Sequence, residues 1–163
     1  MFRLLAIPIL CLALALVAAG CGDEGASEGA TLTVYVSAPL RGAEADQGKE
    51  LCDETRAEAR GVKTAGDHQL RVVCLDASGE DGVWTLAKVG SNARRATEDS
   101  TTVAYVGEPS RAARKQSQPI VEAAEIATMG SRNGIEAVET IVTALKEGES
   151  DDPRRTVLDA VEG

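Results

Sequence analysis

The chain has 163 residues and a formal net charge of −9 at pH 7. An acidic protein repels phosphate, which argues against a nucleic-acid partner and against a basic helix lying on a membrane surface. Phenylalanine, tryptophan and tyrosine make up only 2% of the chain, too few for a platform on which bases stack.

The first twenty residues have the pattern of a secretory signal peptide. A short basic start ends at Arg3, an apolar run covers residues 4–17, and small residues precede Cys21. The run is shorter than the roughly 20 apolar residues that span a bilayer, and it contains Pro8. We therefore expect residues 1–20 to be a signal peptide rather than a permanent transmembrane helix.

Residues 18–20, directly before Cys21, resemble a bacterial lipoprotein signal, in which the cysteine becomes the lipid-bearing first residue. Ordinary secretion is the alternative, because the same residues satisfy the small-x-small rule for cleavage. With a lipid on Cys21, the protein is exported and stays on the outer face of the cytoplasmic membrane or in the periplasm. The lipid is then its only membrane contact. Residues 21–30 are small and acidic, which predicts a flexible tether.

The next part of the chain, residues 31–129, alternates between strand and helix patterns. Runs of β-branched and aromatic residues predict strands at 31–36, 70–75 and 101–106, with a short fourth strand at 126–129. Helical periodicity follows at about 43–60, at 84–98, and from Ser110 towards Glu125. These βαβ units predict an α/β fold: a three-layer single lobe with a parallel sheet of about four strands and helices on both faces.

The last segment, residues 130–163, predicts two helices without a strand between them. Asn133 and Glu136 have the spacing of a capping box, and Asp152 and Pro153 begin the final helix. The first helix carries an apolar stripe formed by Ile135, Val138, Ile141, Val142 and Leu145. Because such a stripe must cover apolar surface, both helices are expected to pack back on the lobe.

Two of the four cysteines remain once Cys11 and Cys21 are assigned to the signal and the lipid. Cys52 and Cys74 form a pair in an exported protein, where disulfides persist. Their spacing does not match a zinc site. A disulfide is the favoured interpretation, and two buried free thiols are the alternative.

The sequence contains no recognisable catalytic set. The segment from Gly42 to Lys49 is not a phosphate-binding loop, because its glycines are wrongly spaced and Glu50 follows the lysine. His68, the single histidine, lies in a predicted turn without a nucleophile elbow elsewhere in the chain. Asp76 and the acidic residues after it are interpreted as a solvated loop rather than a cation site. We therefore expect no enzymatic activity, no metal and no cofactor.

Several segments together resemble the periplasmic branched-chain amino-acid (leucine)-binding proteins, the solute-binding components of ABC transporters. The first is Val34-Tyr35-Val36-Ser37-Ala38-Pro39-Leu40-Arg41-Gly42 followed by Gly48. The others are Ser91-Asn92-Ala93-Arg94-Arg95-Ala96 leading to Asp99, Val103-Ala104-Tyr105-Val106-Gly107, and Ser110 followed by Pro119-Ile120. The resemblance spans residues 32–129. It implies the first lobe of a type 1 periplasmic-binding-protein fold.

The resemblance also implies a ligand site. In that family, two lobes close on an amino acid, and hydroxyl groups after the third and fourth strands hold its carboxylate and ammonium. These positions correspond here to Ser110 and Thr128, with the loop from Ser37 to Arg41 as a wall. A hydroxyl beside the free N–H groups of a helix start suits a carboxylate. A plain helix cap is an equal alternative for Ser110.

The chain departs from the family after Met129, where the family enters its second lobe. Residues 130–138 instead resemble the start of a late helix that packs on the first lobe, so the second lobe is expected to be missing. The leading expectation is a lipid-anchored solute-binding-type protein that takes a small amino acid or amide and works with an ABC permease. The alternative is a single-lobe protein-interaction or self-associating module, which would use the surface left uncovered.

Overall fold

The structure, a computed structural model, describes residues 29–130, 133–148 and 150–163. The signal peptide, Cys21 and most of the predicted tether lie outside this part of the chain. Within the described residues, no helix is both long enough and apolar enough to cross a membrane.

The described part of the chain forms four strands and five α-helices. In chain order these are β1 (Thr31–Ala38), α1 (Ala45–Gly61), β2 (Gln69–Asp76), α2 (Leu86–Glu98), β3 (Thr102–Gly107), α3 (Arg111–Glu122), β4 (Ala127–Met129), α4 (Gly134–Glu147) and α5 (Pro153–Glu162). A short 3-10 turn at Gly42–Glu44 precedes α1. The predicted elements are therefore confirmed, with two corrections at helix ends.

Both corrections concern residues that are predicted to be helical but lie outside the helices of the structure. Trp84 does not begin α2, because the Thr85 side chain caps that helix by accepting a hydrogen bond from the Lys88 N–H at 3.3 Å. The third helix ends at Glu122 rather than reaching Glu125, whose φ of 54° lies in the left-handed region. A left-handed residue cannot continue a right-handed helix.

The strands form one parallel sheet in the order β2-β1-β3-β4. In β1, Val36 lies opposite Cys74 of β2 on one side and Val106 of β3 on the other. After β1 the chain forms β2 on one side of it, and after β2 it crosses back over β1 to form β3 on the other side. Because βαβ crossovers are right-handed, this reversal places the connecting helices on opposite faces of the sheet. The predicted three-layer α/β fold is confirmed.

Side chains alternate between the two faces along β1. Leu32, Val34 and Val36 belong to a buried cluster on one face, together with residues of α1, α4 and α5. Tyr35 belongs to the cluster on the other face, which Ala93 of α2 also joins. Most of β1 is buried, as expected for a parallel strand covered by helices on both sides.

Helices α4 and α5 lie on the α1 face of the sheet. Ile141 of α4 is fully buried in the same cluster as Leu32 and Leu51. The start of α4 lies close to α1: a Cβ atom on Gly134 would be 2.5 Å from the Thr55 nitrogen. Only glycine therefore fits at this crossing, which brings the apolar side of α4 onto the sheet layer.

Candidate ligand-binding cleft

The reversal of strand order marks the place where a ligand site is expected. In open parallel sheets, loops on either side of the reversal diverge at the carboxyl ends of the strands and leave a crevice between them. Here the reversal lies at β1, which has β2 on one side and β3 on the other. The loops after Ala38 and Gly107 therefore bound the crevice.

A cleft of about 300 Å³ occupies this position. It is lined by residues from the β1–α1 connection, the start of α1, the β2–α2 loop and the β3–α3 loop: Pro39, Glu44, Gln47, Trp84, Glu108, Pro109 and Ser110. The volume suits a small molecule better than a polymer.

The end of β2 positions the β1–α1 loop beside this cleft. The Asp76 carboxylate accepts hydrogen bonds from the backbone N–H of Leu40 at 3.0 Å and of Ser78 at 2.9 Å. It also accepts one from Arg41 Nε at 2.6 Å. The Ser78 hydroxyl in turn lies 3.1 Å from the Leu40 and Arg41 nitrogens.

This hydrogen bonding makes Asp76 part of the site's framework. Burial by itself would raise the pKa of Asp76. The hydrogen bonds from Ser78 and Leu40 and the neighbouring guanidinium outweigh burial and hold that pKa well below its usual value. The prediction of a solvated acidic loop is therefore wrong for Asp76.

Two glycines let the same two loops touch. Gly42 and Gly82 have φ values of 76° and 77°, and a Cβ atom on either one would collide with the backbone of the other. Residues with a side chain fit neither the conformation nor the space. The contact fixes the distance between the β1–α1 loop and the β2–α2 loop, which carries Trp84.

A buried carboxylate lies at the end of β3. The Glu108 side chain has no exposed surface and accepts hydrogen bonds from the Tyr105 hydroxyl at 2.8 Å and the Ser117 hydroxyl at 2.7 Å. Its backbone oxygen accepts a hydrogen bond from Arg114 at 2.8 Å. Burial, reinforced by the Glu108 carboxylate, raises the pKa of Tyr105 far above its usual value, so the phenol stays a donor.

Ser110 lines the cleft and also caps α3. Its hydroxyl accepts a hydrogen bond from the Ala113 N–H at 3.4 Å, which is long for such a bond. The cap and the ligand role proposed from the resemblance are therefore compatible in position: a ligand and the helix end would share one hydroxyl.

The other three predicted ligand residues do not line the cleft. Ser37 is fully buried and accepts a hydrogen bond from the Asn92 side chain at 3.0 Å. Arg41 is paired with Asp76. Thr128 lies opposite Tyr105 in the sheet, and within the described chain its buried hydroxyl has no hydrogen-bond partner. The structure thus places Ser110 in the cleft, with Ser37 and Arg41 supporting its walls.

The sequence analysis does not predict five of the cleft residues: Glu44, Gln47, Trp84, Glu108 and Pro109. Trp84 falls in the predicted helix at 84–98, and Glu44 and Gln47 fall in the predicted helix at about 43–60. The sequence did offer a signal for Glu108, because it directly follows a predicted parallel strand. Residues in that position meet at the carboxyl end of the sheet. His68 lies at the opposite, amino-terminal end of the strands, directly before the start of β2.

The other features of the described chain do not suggest a catalytic or metal site. No three His, Cys, Asp or Glu side chains come together as metal ligands in this part of the molecule. An open groove of about 780 Å³ lies between α4 and α5, and its lining includes Thr140, Thr143, Thr156 and Ala160. No strand-end loop contributes to that groove.

Comparison with known proteins relates the fold to solute-binding proteins. No family model matches the chain, and no curated protein matches it. Solved structures do match, and three of them have a TM-score of 0.52. A leucine-binding protein from Thermotoga maritima is 20% identical, with 60% of this chain and 26% of that chain covered.

Two further structures share the fold. A possible leucine/isoleucine/valine-binding protein from Rhodopirellula baltica is 20% identical, with 72% of this chain and 31% of the other covered. An ABC-transporter solute-binding protein from R. palustris, in complex with 4-hydroxybenzoate, is 17% identical, with 60% and 26% covered. The fold is that of a type 1 periplasmic-binding-protein lobe. The chain spans between a quarter and a third of the length of these structures.

Proposed function

We propose that this protein is an extracytoplasmic, non-enzymatic solute-binding-type lobe related to the branched-chain amino-acid receptors of ABC transporters. The observation that carries the proposal is the cleft at the strand-order reversal, in a fold shared with three solute-binding structures. Ligands of open α/β sheets bind at this position.

The proposed ligand is a small amino acid or amide. Ser110 is its direct contact, beside the N-terminal amides of α3, and Ser37 and Arg41 hold the surrounding loops. Thr128 remains a family-derived candidate whose hydroxyl is buried in this structure. The second lobe of the related proteins is absent by this proposal, which leaves the ligand more open to water than in a two-lobe clamp.

Placement at the membrane follows from the signal pattern. A lipid on Cys21 and a tether over residues 21–30 hold the lobe outside the cytoplasm, where an ABC permease is its proposed partner. The disulfide between Cys52 and Cys74 fits this compartment: the two residues are bonded in the structure, with Cα atoms 6.0 Å apart.

Isothermal titration of the full-length chain against leucine, isoleucine, valine and small amides tests the proposal. Saturable heat with one of them is expected, and Ser110→Ala should weaken it. Asp152→Ala is the matched control, because Asp152 caps α5 outside the cleft. Each variant loses one helix cap, which is expected to lower the free energy of unfolding by about 1 kcal/mol in both. An absence of heat with every ligand would leave only a relationship of fold.

A second candidate function is a protein-interaction or self-associating module. Exposed apolar side chains beside the cleft support this second function. Val83 and Leu86 lie on either side of Trp84, with 37% and 60% of their surface exposed. Sedimentation at increasing concentration separates the two functions. Association that Leu86→Lys abolishes would favour the module, whereas a monomer at high concentration would contradict it.

A further inference from the structure

The lining of the cleft is negatively charged. Of its seven residues, Glu44 and Glu108 carry carboxylates, and none is lysine, arginine or histidine. Glu44 lies on the exposed first turn before α1, and Glu108 is buried in the opposite wall. A concave surface with one sign of charge concentrates ligands of the opposite sign.

Glu108 has hydroxyl donors but forms no ion pair in the described chain. The described pairs are Arg41–Asp76, Arg71–Asp99 and Arg155–Asp159. The Arg114 guanidinium donates to the backbone oxygens of Glu108 and Gly130, and Arg114 does not line the cleft. Water is excluded from the buried carboxylate, so its field reaches the cleft with little screening.

Trp84 supplies an aromatic wall to the same cleft. It is the only tryptophan in the sequence and is partly buried, and Pro39 and Pro109 add apolar surface around it. Tryptophan is the side chain whose ring best attracts a cation, and the attraction grows where water is excluded. An aromatic ring beside carboxylates favours an ammonium group.

The N-terminus of α3 has the opposite preference, since its free amides favour an anion. A helix end is equivalent to about half a positive charge. The Glu108 carboxylate lies against the same helix and accepts a hydrogen bond from the Ser117 hydroxyl. Together with Glu44, it outweighs the helix end, so a carboxylate on the ligand is disfavoured.

We infer that this cleft selects ligands by a cationic nitrogen, seated between Trp84 and Glu44, and discriminates against a free carboxylate. The inference rests on the proposed function and narrows it: a cationic amino-acid amide is a better ligand than the zwitterionic amino acid. Glu108 sets this preference through its buried charge rather than by direct contact.

Four compounds with one carbon skeleton test the charge preference. Leucinamide is cationic, leucine zwitterionic, 4-methylpentanamide neutral and 4-methylpentanoate anionic when measured near pH 6, below the α-amino pKa of about 7.7–8.0. The full-length chain is titrated with each, and Trp84 fluorescence reports on the cleft because no other tryptophan contributes. Leucinamide is expected to bind at least about fivefold more tightly than leucine, with no binding of the anion.

Variants link the preference to the named residues. Glu44→Gln should lower the affinity for leucinamide roughly two- to fivefold, which is the effect of losing an exposed charge pair. Glu50→Gln, an exposed change on α1 outside the cleft, should have no effect. Leucine or 4-methylpentanoate binding as tightly as leucinamide, or Glu44→Gln matching the control, would overturn the inference and leave the small-ligand function standing. Failure of all four compounds would contradict the proposed function itself.

Discussion

The Asp76 carboxylate at the end of β2 accepts a hydrogen bond at 3.0 Å from the backbone N–H of Leu40, 36 residues earlier in the chain. This contact joins the ends of two neighbouring strands and fixes one wall of the cleft. The two loops cannot separate without leaving a partly buried carboxylate without its donors, which costs free energy.

Asp76→Asn is expected to lower the free energy of unfolding at pH 7 by about 1–3 kcal/mol, because it removes a charged acceptor. The folded-state pKa of Asp76 lies below its unfolded value. Its stabilisation is therefore complete above an unfolded pKa of about 3.9 and is lost as pH falls below that value. Urea unfolding at neutral and acid pH measures this. The prediction would be contradicted if the difference in unfolding free energy from wild type stayed constant down to about pH 2. An equal loss of stability in Asp53→Asn, the control at an exposed site, would also contradict it.

Tyr105→Phe is expected to destabilise the protein by about 1–3 kcal/mol, since it removes a donor from the buried Glu108 carboxylate. Tyr35→Phe is the matched control: it removes the same hydroxyl from a bond to the part-buried Asp99 at 3.0 Å. Denaturant unfolding should show the larger loss for Tyr105. Equal losses would mean that burial of Glu108 does not decide the effect.

The bond between Cys52 and Cys74 closes a loop with a sequence separation of 22. Its loss in Cys52→Ala/Cys74→Ala is expected to cost about 3 kcal/mol on the chain-entropy model. Intact mass before and after treatment with a thiol reductant tests the bond directly, because reduction adds two hydrogen atoms. Identical masses would establish two free thiols instead.

Ile141→Ala should cost about 2–5 kcal/mol, because Ile141 is fully buried against the sheet layer. Ile135→Ala, on the same helix with 40% of its surface exposed, should change stability by less than about 0.5 kcal/mol. Thermal or urea unfolding distinguishes them. Similar small effects would show that α4 does not belong to the cooperative core.

Arg154 joins α5 to the amino-terminal end of β3. Its guanidinium donates to the backbone oxygens of Thr102 at 3.0 Å and Ser100 at 3.1 Å. Arg154→Gln is expected to cost about 1–3 kcal/mol, whereas the exposed neighbour in Arg155→Gln should have little effect. Native-state hydrogen exchange in α5 measures local opening. Unchanged exchange in Arg154→Gln would contradict this role.

The pattern of apolar residues predicted the elements, because helices and strands bury side chains with different periods. The predicted strand at 101–106 lies at Thr102–Gly107, and the stripe from Ile135 to Leu145 lies within α4. The prediction that Trp84 begins α2 is wrong because the local pattern around Trp84 continues that of the helix, whereas Thr85 is the cap and α2 begins at Leu86, two residues later.

Candidate site residues were harder to predict than elements. The local pattern predicted only a helix cap at Ser110, and the resemblance to solute-binding proteins supplied its ligand role; Ser110 does line the cleft. The same resemblance pointed to Thr128, yet Thr128 lies opposite Tyr105 within the sheet. Asp76 looked like an acidic loop residue because its donor at Leu40 is distant in sequence.

Sequence by itself determined the export signal pattern as an expectation, the order of strands and helices, and the α/β class, because these depend on neighbouring residues and their periodicity. Only the tertiary structure decided which residues share the cleft. The side chains of Glu44, Trp84 and Glu108 come from three separate connections and meet only because parallel strands end at one edge of the sheet. The burial of Glu108 beneath Tyr105 and Ser117, and hence the charge of the cleft, depends on that packing.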